Sequence, residues 1–164
     1  MMKWTKNRVE TFVDTMPIPD QIFKEHAGFG SKITDSDLIH SVSKRGKVIA
    51  SAFSSAMSQK DVENIIRNTV LDDTYANAEC IADWMNDGAD DSFFVLDKDY
   101  DKTVGRAFFC KKWHEWEYGG VPCDQVEVIL RKKESNTGSF FEILAAYPRC
   151  SKNAIRKWRN QYTL

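Results

Sequence analysis

The spacing of apolar residues changes near position 90, and that change fixes the class of fold this chain can adopt. Before it, apolar side chains recur every three or four positions. Val62, Ile65, Ile66, Thr69 and Val70 form one stripe, and Ala78, Ile81, Ala82 and Met85 form another. That is the pattern of helices that bury one face. Ser58 with Asp61 three residues on reads as a capping box using the shorter acid. After the change, 93–96, 103–110, 126–131 and 140–147 read as strands, joined by turns of Asp, Lys, Gly and Asn. Ser135-Asn136-Thr137-Gly138 between the last two predicts a hairpin. Pro148, which cannot donate to a ladder, is expected to close the second of them. Helices first and antiparallel strands afterwards predict an α+β fold, with N-terminal helices packed against a twisted antiparallel sheet.

The first part of the chain refines the plan. Residues 5–16 carry Val9, Phe12, Val13 and Met16 at helical spacing, with Thr5 as the cap and Pro17 and Pro19 as the stop. Residues 21–33 are irregular and contain Gly28 and Gly30. The expected division is an N-terminal helix and linker at 1–30, a domain at 31–150, and a basic tail at 151–164. A short helix at 34–43 carries His40, with Leu38 and Val42 one turn apart. Residues 47–53 form a short strand.

Bulk properties exclude several functions. A length of 164 residues suits one domain with its own core. The net charge of −1 argues against coating nucleic acid by bulk electrostatics, but not against gripping a phosphate or two locally. No apolar run has the length of a transmembrane helix, and no secretory signal is visible. The four cysteines, Cys80, Cys110, Cys123 and Cys150, include no CxxC pair, which argues against structural zinc. They read as reduced thiols of a cytosolic protein, with a Cys110–Cys123 bridge open if those two flank a hairpin. Neither a GxxxxGK[ST] loop nor a GxGxxG loop is present, and no histidines pair at metal spacing. No metal and no organic cofactor is expected.

Candidate chemistry centres on His40. Lys44 lies one helical turn beyond it and Arg45 follows. An imidazole with a near-neutral pKa can take a proton from a ribose 2′-hydroxyl, while a guanidinium holds the phosphate. The same spacing also suits a half-exposed helix histidine beside solvated bases. Tyr147 ends the last strand, where Phe141, Ile143, Ala145 and Tyr147 are expected to share a face. A phenol there can donate to a phosphate oxygen, or close the rim of a core. His26 lies in the linker. His114 lies among Trp113, Trp116 and Tyr118, in a loop or strand extension that can stack on bases or simply pack.

Read in order, several segments resemble the RNase A-like toxin domain at the C-termini of bacterial contact-dependent inhibition proteins. That family lies within the Barnase–EndoU–ColicinE5/D–RelE group of ribonuclease folds. The likeness runs from about Asp37 to Pro148. It rests on Ile39-His40-Ser41-Val42, Ala50-Ser51-Ala52-Phe53-Ser54, Ile81-Ala82-Asp83-Trp84-Met85, Val104-Gly105-Arg106, Val128-Ile129-Leu130-Arg131 and Ile143-Leu144-Ala145-Ala146-Tyr147-Pro148. The resemblance implies a metal-independent ribonuclease acting in the bacterial cytoplasm, delivered as the C-terminal part of a larger toxin. Its RNA substrate would include tRNA among the candidates, and a cognate immunity protein or antitoxin would restrain it. It also implies that His40 is the catalytic histidine, Arg45 the phosphate-binding arginine, and Tyr147 the tyrosine of a closing Thr-x-Tyr-Pro motif. Here the threonine position is Ala145, which lacks a side-chain hydrogen-bonding group. Ser51 and Ser54 are the candidate substitutes, and Lys44 and His114 complete the expected substrate-binding set. The rival reading is a non-catalytic RNA- or protein-binding module with the same fold.

Overall fold

The computed structural model describes residues 3–23, 37–38, 49–88, 92–110, 116–154 and 156–157, with backbone alone at 49, 109–110 and 116–119. The described elements are α1 (Lys6–Thr15), a single turn at Asp20–Ile22, β1 (Ile49–Phe53), α2 (Gln59–Val70), a 3-10 turn at Asp73–Tyr75, α3 (Asn77–Asn86), β2 (Phe93–Asp99), β3 (Gly105–Cys110), β4 (Trp116–Cys123), β5 (Gln125–Ser135) and β6 (Gly138–Arg149). The strands form two antiparallel sheets, ordered β1-β3-β4 and β2-β5-β6. The fold is α+β, as the change of periodicity predicts.

Local chemistry starts the helices where the sequence places them. Thr5 accepts a hydrogen bond from the Arg8 backbone N–H at 3.2 Å. Ser58 and Asp61 close a reciprocal capping box, each side chain accepting from the other's N–H at 3.1 Å. Together these satisfy donors that a helix start leaves orphaned. The three helices bury their stripes on the β2-β5-β6 sheet. Val9, Val13, Val62, Ile66, Val70 and Ile81 meet Leu96, Val126, Val128, Leu130, Phe141 and Ile143 in one core. Burying an aliphatic or aromatic side chain there contributes roughly 2 kcal/mol.

The N-terminal segment belongs to that core. Trp4 packs on Phe141 with ring centroids 5.3 Å apart, and Phe12 on Phe141 at 4.7 Å. Asn86 holds the Trp4 backbone by donating to its carbonyl and accepting from its N–H, both at 2.8 Å. A partly buried polar network lies near the Gln125 end of β5: the Tyr100 and Thr69 hydroxyls lie 2.8 Å apart, and both reach the Ile65 carbonyl, at 3.0 and 2.8 Å. Burial raises the Tyr100 pKa, against the pull of the Thr69 hydrogen bond.

Three expectations need correction. Residues 116–123 form a full strand where a loop or strand extension is expected, because Gly119, Gly120 and Pro122 dilute its β signal. Pro148 does not close β6: it pairs with Val126, and the strand continues to Arg149. β6 lies at the edge of its sheet, where a missing N–H is tolerated. A Cys110–Cys123 bridge is excluded by register. Cys110 pairs with Trp116 and Cys123 with Gly105, at opposite ends of the β3-β4 ladder. Five residues of strand separate those ends by about 17 Å, far beyond disulfide reach.

Candidate functional site

The last strand carries a β-bulge, and the bulge decides where Tyr147 points. Ile143 pairs with Leu130 and Ala145 with Ile129, so Leu144 is an extra residue without a partner position. Burial follows the pairing. Phe141 and Ile143 are buried before the bulge, Ala146 and Pro148 after it, and Leu144 is 41% exposed. Odd positions face the core up to 143, and even positions from 146. The shared face expected for Phe141, Ile143, Ala145 and Tyr147 is therefore wrong. Ala145 and Tyr147 turn to the opposite face, beside their cross-strand neighbours Ile129 and Glu127.

The two sheets join along this end of β6, which also runs against β1 and β3. Pro148 packs on Gly105, where an added Cβ would meet its ring at 2.7 Å. Phe53 of β1 enters the same core as Val104, Val126 and Ala146. Each sheet thus turns one face to the common core. On β1 the opposite face bears Ala50 and Ala52, which pack with Phe108 and with Leu38. Arg106 pairs with Ala52 and so stands on this outer face as well. Leu38, helical with Asp37, thus packs on the same face of the β1-β3 pair that bears Arg106.

The sequence-predicted residues are placed unevenly. His40, Lys44, Arg45 and His114 lie outside the described residues, as do His26 and most of the helix expected at 34–43. Leu38 stands two positions before His40 in the chain. Ser51 is 7% exposed and shares a face of β1 with Phe53, opposite the face that Leu38 covers. Ser54 follows β1: its N–H donates to the Val104 carbonyl at 2.9 Å, and its hydroxyl accepts from the Ala56 N–H at 3.3 Å. Two charged residues beside Tyr147 escaped sequence reasoning. Arg149 donates to Glu127 at 2.8 Å, and Glu127 is Tyr147's register partner. Only strand pairing reveals that acid, because it lies twenty residues away in the chain. Among the described residues no cluster of His, Cys, Asp and Glu is arranged to hold a metal, and no helix is long and apolar enough to cross a membrane.

Helices packed against two antiparallel sheets that meet along β6 define an α+β domain of two-sheet architecture. This architecture is similar to that of a chain in the crystal structure of the CdiA-CT/CdiI complex from Y. kristensenii 33638. The match has a TM-score of 0.57 and 15% sequence identity, covering 80% of this chain and 99% of that one. No protein-family model matches the chain, and no curated protein matches it. At that identity the likeness is one of fold.

Proposed function

We propose that this chain is the ribonuclease domain of a bacterial contact-dependent inhibition toxin. It cleaves RNA by attack of a ribose 2′-oxygen on the adjacent phosphate, leaving a 2′,3′-cyclic phosphate and a 5′-hydroxyl. The observation that carries this reading is that Tyr147 turns to the face of β6 opposite the helical core, while Leu38, two residues before His40, packs on β1. The fold likeness to a CdiA-CT/CdiI chain supports it. His40 is the general base, and Arg45 with Lys44 holds the phosphate. Tyr147 stabilises developing charge or assists the leaving group. Arg106 offers a second guanidinium on the face of the β1-β3 pair where Leu38 packs. Ser51, Ser54 and His114 complete the substrate-side set. The chemistry calls for no metal or organic cofactor. The implied partner is a cognate immunity protein, and the implied place of action is the cytoplasm of a target bacterium.

Ala145 favours a second reading, a binding module that keeps the fold without turnover. Its methyl occupies the position of the family threonine and can neither donate nor accept. One experiment separates the two: RNA cleavage in EDTA with end-group analysis, comparing the unaltered chain, His40→Ala and Ala145→Thr on varied RNAs including tRNA. Cyclic-phosphate ends that disappear with His40→Ala establish the enzyme. Cleavage only after Ala145→Thr marks a disabled toxin. Silence from all three supports the binding module.

A further inference from the structure

The ends of β4 and β6 bring two cysteines together across the sheet junction. The Cys123 and Cys150 sulfurs lie 2.8 Å apart, and both are thiols here. Both sit over one carbonyl, that of Val121, at 3.7 and 3.6 Å. A disulfide requires about 2.05 Å, so closing the gap takes a movement of well under one ångström.

The backbone on either side of the pair is already fixed. Gln125, two residues after Cys123, pairs with Arg149, immediately before Cys150. The residues that follow the two cysteines are clamped to each other. Ser151 donates to Asp124 through both its N–H and its hydroxyl, each at 3.1 Å. The Ser151 hydroxyl also accepts from the Ala154 N–H at 3.0 Å, which starts the C-terminal turn. A ladder pair and an Asx clamp therefore flank the sulfurs, and neither cysteine can drift from the other without breaking them. Exposure differs within the pair: Cys123 is fully buried and Cys150 is partly open.

We propose that Cys123 and Cys150 form a disulfide in an oxidising environment, cross-linking the end of β4 to the end of β6 and locking the two sheets at their junction. The oxidant is a small-molecule disulfide. The Cys150 thiolate attacks one of its sulfurs, forming a mixed disulfide and releasing one thiolate. Cys123, deprotonated by that thiolate, then attacks the Cys150 sulfur and releases the second half as a thiolate, which takes up the proton that Cys150 gave to solvent. Two protein thiols are oxidised and one external disulfide is reduced to two thiols. The neighbouring Cys150 thiol and burial both push the Cys123 thiol up, and Cys150 is the more accessible of the two, so Cys150 reacts first. Cys150 lies three residues after Tyr147, so the bond anchors the strand end that presents it. It closes a loop of 27 residues between sulfurs. A loop of that size, in a chain of this length, raises the melting temperature by roughly 5–10 °C. A reducing cytosol opens such a bond, and an extracellular or periplasmic setting keeps it.

The test equilibrates the whole purified chain in glutathione buffers from fully reduced to fully oxidised. Samples are then quenched with acid, alkylated, digested and analysed by mass spectrometry, with melting curves run in parallel. The expected result is a Cys123–Cys150 linked peptide with Cys80 and Cys110 alkylated, together with the stated rise in melting temperature. Cys150→Ser abolishes both signals, and Cys80→Ser leaves both intact. Alkylation of Cys123 and Cys150 at every glutathione ratio overturns the proposal, and so does a linked peptide involving Cys80 or Cys110. Because the wild-type peptide map decides the matter, a variant that folds poorly does not rescue it. The outcome is also independent of whether the chain cleaves RNA.

Discussion

Replacing Gly105 by alanine tests the sheet junction directly. Gly105 is buried on β3, opposite Phe53 on one side and Cys123 on the other. An alanine Cβ would lie 2.7 and 2.9 Å from the Pro148 ring carbons, and still closer to the Ala52 carbonyl oxygen. Neither neighbour can yield by rotating a side chain. The carbonyl is β1 backbone, and the proline ring is fixed to β6. The strands must separate, at an overpacking cost of about 3 kcal/mol. Alanine also narrows the unfolded ensemble, which offsets up to about 1 kcal/mol. The expected net loss is about 2 kcal/mol, or a fall in melting temperature of roughly 4–8 °C for a chain of this length. Urea denaturation followed by circular dichroism measures it, with Gly88→Ala as the control because nothing lies within 4 Å of that added carbon. In a Pro148→Ala background the Gly105→Ala loss should shrink by at least about 0.5 kcal/mol, because one of the two obstacles has been trimmed. A Gly105→Ala protein as stable as the wild type, or an equal loss in both backgrounds, would refute the junction geometry.

Deleting Leu144 converts the bulge into a regular ladder while keeping Ala146 inward and Tyr147 outward. The chain should still unfold cooperatively, within about 1 kcal/mol of wild type, and non-cooperative melting would show that β6 carries no bulge. Tyr100→Phe removes the hydroxyl shared with Thr69 and the Ile65 carbonyl, and should lower the unfolding free energy by about 1–2 kcal/mol with unchanged m-value. Asp72 is held below the ordinary carboxylate pKa. Burial opposes that shift, but the hydrogen bond from Lys98 at 3.1 Å, with two from Thr74, outweighs it. A depressed carboxylate stabilises the fold above its unfolded pKa and loses that contribution as pH falls through the folded value. The loss therefore falls below about pH 4. Lys98→Met should destabilise by about 0.5–1 kcal/mol at pH 7 and by less at pH 3, read from urea midpoints; an equal effect at both pH values counts against the assignment.

The sequence by itself determined what short-range physics controls. Helical stripes, the Thr5 cap, the Ser58–Asp61 box and the 135–138 turn each depend on residues within one or two turns, so their pattern survives in the linear order. The α+β class followed from the order of the two periodicities. Fold-level likeness was also legible from short segments such as Val104-Gly105-Arg106, although each alone is weak. His40, Lys44, Arg45 and His114, on which the catalytic reading depends, lie outside the described residues and remain assignments from sequence. What only the tertiary structure decided concerns relations between strands distant in the chain. The face of Tyr147 depends on one unpaired residue, Leu144, because strand side chains alternate and a single insertion shifts everything beyond it. Pro148 is accepted because β6 lies at an edge. Glu127 meets Tyr147, and Cys123 meets Cys150, only through register. β4 forms despite two glycines and a proline because β3 offers it a ladder. Local propensity can name an element, but pairing sets its neighbours and its facing, and the candidate site is built from those.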